Sequence, residues 1–175
     1  MRSKLSFSFV SAGIVLASMA SAEQVRIHLD YTFTSNFTLR SGSTSHLEGP
    51  ELGADMIVMQ APGGASLSVG ARWLLGGKLR SGGDTDGDVY RFLFRGTQPI
   101  PTTQLFVFVA GGIAHTRARA EEFEDVNGYN AQLGLGSYLG GSSVAGRFKP
   151  AVEFTYTNAA KGQLRGFGLG LSAGF

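Results

Sequence analysis

The chain of 175 residues has no cysteine, one Trp, three His, five Pro and only 16% charged side chains. Without Cys there is no disulfide framework, no thiolate zinc site, no thiol nucleophile and no cysteine to carry a lipoprotein anchor. Soluble domains carry about 25% charged residues and about 7% Gly. This chain has far fewer charges and 26 Gly, which excludes the composition of an ordinary cytosolic enzyme. Long apolar runs are missing too: beyond residue 22 the longest, Leu105 to Ala114, falls well short of the ~18 residues of a membrane-spanning helix. Signatures of catalysis are also absent. No Gly-x-Ser-x-Gly, His-Glu-x-x-His or Walker pattern occurs, and neither His46 nor His115 pairs recognisably with a Ser and a carboxylate. No enzymatic activity, cofactor or bound metal is therefore expected.

What is present begins with an export signal. Arg2 and Lys4 precede an apolar stretch from Leu5 to Met19, and Ala20-Ser21-Ala22 forms an A-x-A cleavage site that leaves Glu23 as the first mature residue. Residues 1–22 are read as a signal peptide and 23–175 as one domain. The formal charge of +2 changes meaning accordingly. Cleavage removes two of 15 cationic side chains and none of 13 acidic ones, so the mature chain is neutral and nucleic-acid binding loses its electrostatic basis.

Past Glu23 the chain alternates. Val25, Ile27, Leu29, Tyr31 and Phe33 interleave with Arg26, His28, Asp30 and Thr32, the period of a strand with one apolar and one polar face. The same period recurs at 66–75, 90–95, 129–136, 152–156 and 167–175, with weaker runs at 52–60 and 104–117. That makes eight strands and an all-β fold. In Leu105 to Ala110 both faces are apolar, and in Met56 to Met59 only Asp55 and Gln60 mark a polar side, so facing is left open there. Connections alternate in length. Long ones at 36–50, 76–88, 118–128 and 158–163 alternate with short ones near 61–64, 98–103 and 140–145. Pro62-Gly63 suits the centre of a type II turn. Eight antiparallel strands of about 9 to 11 residues are expected to close into an up-and-down barrel with short turns at one rim, long loops at the other and both termini at the short-turn rim.

Alternation alone does not say which face points outward. The polar face combines long arginines with a Gly/Ser row from Gly168 to Gly174, which suits a narrow lumen better than a solvated exterior. Tyr31, Phe33, Tyr90, Phe154, Tyr156, Phe167 and Phe175 lie toward the ends of the apolar stripes, as aromatic girdles at two lipid–water interfaces require. With the export signal and unequal rims, the reading is a transmembrane β-barrel whose apolar face meets lipid.

At this point residues 23–175 resemble the small eight-stranded outer-membrane barrels, the class that includes OmpX and the membrane domain of OmpA. The final strand carries the resemblance furthest: Phe167, Leu169, Leu171 and Phe175 place apolar residues at every second position up to a terminal aromatic. In that family such a strand is the assembly signal, read by β-augmentation. The resemblance implies an integral outer-membrane protein of a diderm bacterium, monomeric, in contact with outer-membrane lipids, lipopolysaccharide and the outer-membrane assembly machinery. Its role would be structural or one of surface interaction, with a ligand at the outer loops. No peptidoglycan-binding domain is expected after the barrel. Pro150 departs from a closed ladder and is placed at the tight-turn rim or a bulge.

The expected lumen holds Arg26, His28, Asp30, Arg72, Arg91, Arg95, Lys149 and Glu153, joined by Asp55. Buried charges need partners, so these residues are read as an ion-pair network filling the barrel. A gated pore in which Asp30 and Glu153 exchange arginine partners is the alternative use of the same residues. Two further alternatives are a soluble periplasmic ligand-binding barrel and a lipid-modifying outer-membrane enzyme. The acidic run Asp84-Thr85-Asp86-Gly87-Asp88 lacks the Gly and Glu spacing of an EF-hand and is read as a solvated hairpin loop. With Glu121, Glu122, Glu124 and Asp125 it makes the loop rim acidic, where divalent cations would bridge to lipopolysaccharide.

Overall fold

The structure is a computed structural model that describes residues 25–38, 44–79, 86–118, 126–140, 148–159 and 164–175. Eight strands follow one another: β1 (Val25–Thr38), β2 (Thr44–Gln60), β3 (Ser66–Leu79), β4 (Asp86–Pro99), β5 (Leu105–Ala118), β6 (Val126–Tyr138), β7 (Lys149–Ala159) and β8 (Leu164–Gly174). Each pairs antiparallel with its neighbours in sequence, and β1 pairs with β8 to close the barrel. Closure satisfies the backbone groups that an open sheet would leave at its edges. Where the ends of the sheet meet, Phe175 N–H donates to Val25 O at 2.9 Å.

The strands are longer than their apolar period. They run from 11 residues in β7 and β8 to 17 in β2, and so extend into the segments expected as the long loops 36–50, 76–88, 118–128 and 158–163. Backbone ladders do not require apolar side chains, so pairing continues after the period-2 signal has faded. The residues between the strands at that rim, Asp84 and Glu121 to Asp125 among them, lie outside the described residues, as does the export signal at 1–22.

At the opposite rim the described turns are tight. Gly63 has φ +89° and Gly64 N–H donates to Ala61 O at 3.1 Å, the geometry a type II turn imposes on Pro62-Gly63. Pro150 is the second residue of β7 at this same rim, where its carbonyl accepts from Leu139 N–H at 2.8 Å.

Register shifts interrupt several ladders, and one of them explains why facing in Met56 to Met59 is hard to read. β2 gains a residue against β3 between Ile57 and Met59, so Val58 and Met59 both point outward and alternation fails locally. β1 carries an extra residue between Thr32 and Ser35 against β2 and between Phe33 and Asn36 against β8. β3 carries another, between Leu74 and Gly77 against β4. Pro50 lies in β2 beside the irregular pairing with β3 between Glu48 and Glu51. Its missing N–H is tolerated where the ladder is already broken.

The outward face is apolar around the circumference. Ile27, Leu29, Leu52, Val69, Phe92, Phe94, Val109, Leu133, Leu169 and Leu171 are exposed on it. Aromatics cluster at both margins. Toward the loop rim Trp73 stacks on Tyr90 (5.7 Å between ring centroids) and Tyr90 on His115 (6.2 Å), while Phe167 packs on Phe154 and Tyr156. At the tight-turn rim Phe148 meets Phe175 at 5.4 Å. From Val25 to Phe33 the band is nine residues deep along β1, which at ~3.3 Å per residue and a tilt near 40° is a height of about 23 Å.

Candidate functional site

Eight strands leave an interior just wide enough for side chains, and here it fills in three layers. The middle layer is ionic. Arg72 reaches across from β3, with Nη1 donating to Asp30 Oδ2 at 2.9 Å and Nη2 to Asp55 Oδ2 at 3.3 Å. His28 Nε2 donates to the same Asp55 oxygen at 2.9 Å, and its Nδ1 lies 3.8 Å from Glu153 Oε2. Arg95 Nη1 donates to Glu153 Oε2 at 2.8 Å and stands 3.9 Å from Asp55. Ser172 donates to the other Glu153 oxygen at 2.6 Å. Nearer the loop rim, Arg91 pairs with Glu51, whose Oε2 also accepts from Thr32 at 3.5 Å. Apart from Asp30, which is slightly exposed, these ionic side chains are fully buried. Asp30, Glu51, Asp55 and Glu153 thus face the guanidinium groups of Arg72, Arg91 and Arg95, with His28 as a hydrogen-bond partner of Asp55, and pairing with opposite charge is what makes such burial tolerable.

Apolar layers close both sides of the ionic one. Toward the loop rim Leu47, Leu74, Val89, Ala114, Ala159 and Leu164 form a buried cluster. Toward the tight turns Phe106, Phe108 and Ala151 form a second, with Tyr138 against it. The Arg95 guanidinium sits 3.8 Å above the Phe108 ring centroid, joining the layers by a cation–π contact. Between Arg72, Arg91 and Glu51 the remaining cavity is about 10 Å³, room for no more than one water.

Glycines make this filling possible. Five inward residues stand beside a glycine on the adjacent strand: Arg72 beside Gly53, Asp55 beside Gly70, Asp30 beside Gly170, Phe108 beside Gly134 and Phe106 beside Gly136. A Cβ on any of these five glycines would collide with the side chain next to it. The Phe rings account for the two apolar faces of Leu105 to Ala110: Leu105, Val107 and Val109 point out, and Phe106 and Phe108 point in, against Gly136 and Gly134 of β6.

Of the residues singled out from sequence, His28, Asp30, Arg72, Arg95 and Glu153 meet Asp55 in the centre, and Arg91 lies one step toward the loops. Arg26 is the cross-strand partner of Asp55 and lies 6.0 Å over the Phe106 ring, and Lys149 is half-buried at the tight-turn rim. The terminal-strand residues Phe167, Leu169, Leu171 and Phe175 all point outward. Glu51 escaped the sequence reading because it borders a segment taken for loop. The signal was its parity, since Glu51, Gly53 and Asp55 share one face of β2. Ser172, Thr97 and Gln132 were equally silent, being small or neutral residues whose partners come from other strands. His115 donates to Asn127 Oδ1 at 2.7 Å. Among the described residues no three His, Asp or Glu side chains are grouped to hold a metal ion.

No family model matches the chain, and no curated protein sequence does. Solved structures do. The N-terminal β-barrel domain of Pseudomonas aeruginosa OprF is 14% identical with a TM-score of 0.55, over 88% of this chain and 98% of that one. Ail, the attachment invasion locus protein of Yersinia pestis, is also 14% identical, with a TM-score of 0.52 and the same coverage. A second Ail structure, in complex with the heparin analogue sucrose octasulfate, gives 0.51. The fold is that of the small eight-stranded outer-membrane barrels. These likenesses rest on backbone geometry, since at this identity the interior side chains are free to differ.

Proposed function

We propose that this chain is an integral outer-membrane barrel with a structural or surface-interaction role, no catalytic activity and no open channel. Export would use residues 1–22 as a signal peptide cut after Ala22, and the terminal strand through Phe175 would engage the assembly machinery. The observation that carries the reading is the apolar belt: a closed barrel with Val109 59% and Leu133 58% exposed at mid-height has no use for such a surface in water. An outer-membrane barrel requires a band of about 25 Å flanked by aromatics. The barrel is read as a monomer in contact with lipid and lipopolysaccharide, with surface ligands met by the strand extensions and loops beyond the belt.

The test is extraction and mobility. The protein should resist release from membranes by salt or alkali and should migrate faster on a gel before boiling than after. Release by salt alone would establish the soluble alternative. Val109 and Leu133 are direct cross-strand partners on the outward face, so Leu133→Arg is expected to cost about 2–4 kcal/mol of folding stability in bilayers, as an arginine at the midplane of a lipid-facing strand does. An unchanged urea midpoint in vesicles would place that face away from lipid.

Conductance is expected at background in planar bilayers, because two apolar layers bracket the ionic one. The variant carrying both Phe106→Ala and Phe108→Ala removes one bracket and should raise the frequency of openings if the protein still folds. Openings of the unaltered protein well above background would favour the gated pore instead.

A further inference from the structure

Two features share the outward face of β8. The first is Arg165, exposed and two residues nearer the loop rim than Phe167. Its direct cross-strand partners are Asn158 of β7 and Asn36 of β1, both uncharged. Among the described residues Arg165 has no ion-pair partner. Asn158 Oδ1 is buried beside it without a hydrogen-bond partner, so that amide does not hold the guanidinium. Just below, Phe167 stacks on Phe154 at 5.5 Å and packs on Tyr156 at 5.3 Å, the kind of aromatic margin found where hydrocarbon gives way to headgroups. Two residues at ~3.3 Å each on a strand tilted near 40° raise Arg165 about 5 Å above Phe167. A headgroup layer is roughly 5–8 Å deep, and an arginine stem is long enough to move its charge through that depth. The second feature is a groove of about 450 Å³ lower on the same face, walled by Leu29, Tyr31, Pro50, Val152, Leu169 and Leu171. Asp30 borders it too, but its carboxylate is turned inward to Arg72. From Arg165 to Leu169 is four residues, about 13 Å along the strand.

We propose that this face seats one phosphate-bearing lipid, its phosphate on Arg165 and an acyl chain in the groove between β1, β7 and β8. The inference rests on the reading of the belt as lipid-facing. An unpaired cation and an apolar groove on one strand face match the two ends of such a lipid, whose linker and first methylenes span the distance between them. A guanidinium donates to phosphate in a bidentate fork, which supplies the selectivity, and the groove contributes apolar contact. Arg117 stands in a similar place two residues above His115, but its cross-strand partner is Asp88. A carboxylate beside it makes Arg117 the weaker attractor of an anion.

The experiment titrates the full folded chain in maltoside micelles with dioctanoyl phosphatidic acid, dioctanoylglycerol and inorganic phosphate, read from the backbone amide shifts of Gly166 and Leu171. Phosphatidic acid should shift both amides saturably, dioctanoylglycerol should move Leu171 alone, and inorganic phosphate should move neither comparably. Arg165→Gln should raise the half-saturating mole fraction of phosphatidic acid about fivefold, the contribution of one cationic side chain at an anionic membrane surface. Arg117→Gln should leave it nearly unchanged. Fold is checked by heat-shifted mobility; should a variant fail to fold, the two lipids compared on the unaltered protein still decide. Equal effects of the two variants would overturn the proposal, since attraction would then be diffuse, as would unchanged affinity in folded Arg165→Gln. Inorganic phosphate acting as strongly as the lipid would overturn it too. So would Leu171 shifts that follow protein rather than lipid concentration, the mark of a second copy in the groove. If Leu171 responds to dioctanoylglycerol while phosphatidic acid binds no better, the belt stands and this proposal alone falls; if Leu171 responds to neither lipid, both fall.

Discussion

Arg95→Met is expected to remove about 3–5 kcal/mol of folding stability, the cost of leaving a buried carboxylate without its partner. Arg95 donates to Glu153 at 2.8 Å and to Thr97 at 3.2 Å, lies 3.9 Å from Asp55 and covers the Phe108 ring. After the substitution Glu153 keeps Ser172 and a His28 nitrogen 3.8 Å away, too little to neutralise a charge at 1% exposure. Urea unfolding of the barrel refolded in lipid vesicles measures the loss. The second half of the prediction separates charge from packing. Arg95→Met combined with Glu153→Met should recover most of the stability, because the orphaned charge is gone and both replacements fill space. A double variant as unstable as the single one would show that the Phe108 stack and shape, rather than the ion pair, hold this layer.

Gly136→Val is the change expected to do most damage for the fewest atoms. The new Cβ would enter the Phe106 ring, and that ring is fully buried with Tyr138 packed on it at 4.7 Å between centroids. Overpacking usually costs about 1–3 kcal/mol and sometimes more; here the ring has backbone on one side and Tyr138 on another. The expected result is loss of the heat-modifiable folded band. Adding Phe106→Ala should restore it, since the space the ring vacates accepts the valine. A Gly136→Val protein that folds with an unchanged urea midpoint would mean that Phe106 has a second rotamer available.

These two residues show where sequence reading succeeded and where it stopped. The glycines were legible as a group: rows of Gly alternating with apolar residues in the final strand pointed to a face where space was short. Which glycine stands beside which large side chain was not legible. Gly136 faces Phe106 only through the β5–β6 register, and a run with two apolar faces does not announce its register. The ionic residues were found by parity for the same reason that strands were found, because inward positions recur every second residue. Their pairing was not, since Arg72 meets Asp30 from 42 residues away and Arg95 meets Glu153 from 58. Glu51 was passed over because the apolar signal of β2 fades before the strand ends. The apolar cluster at the loop rim was hidden differently, in that bulges in β1 and β3 reset the parity just below it.

By itself the sequence determined an all-β chain of eight antiparallel strands, a sided barrel with tight turns at one rim, and a polar face too crowded with arginine and glycine for a solvated exterior. All of that follows from the period-2 geometry of an extended chain, a local property. Tertiary structure alone decided which charges neutralise which, that two apolar layers enclose them, and that strands outrun their apolar stripes. Those features depend on closure, register and bulges. Closure brings the first and last strands together, register sets the height of every side chain in the lumen, and one added residue in a strand turns all the residues beyond it to the opposite face.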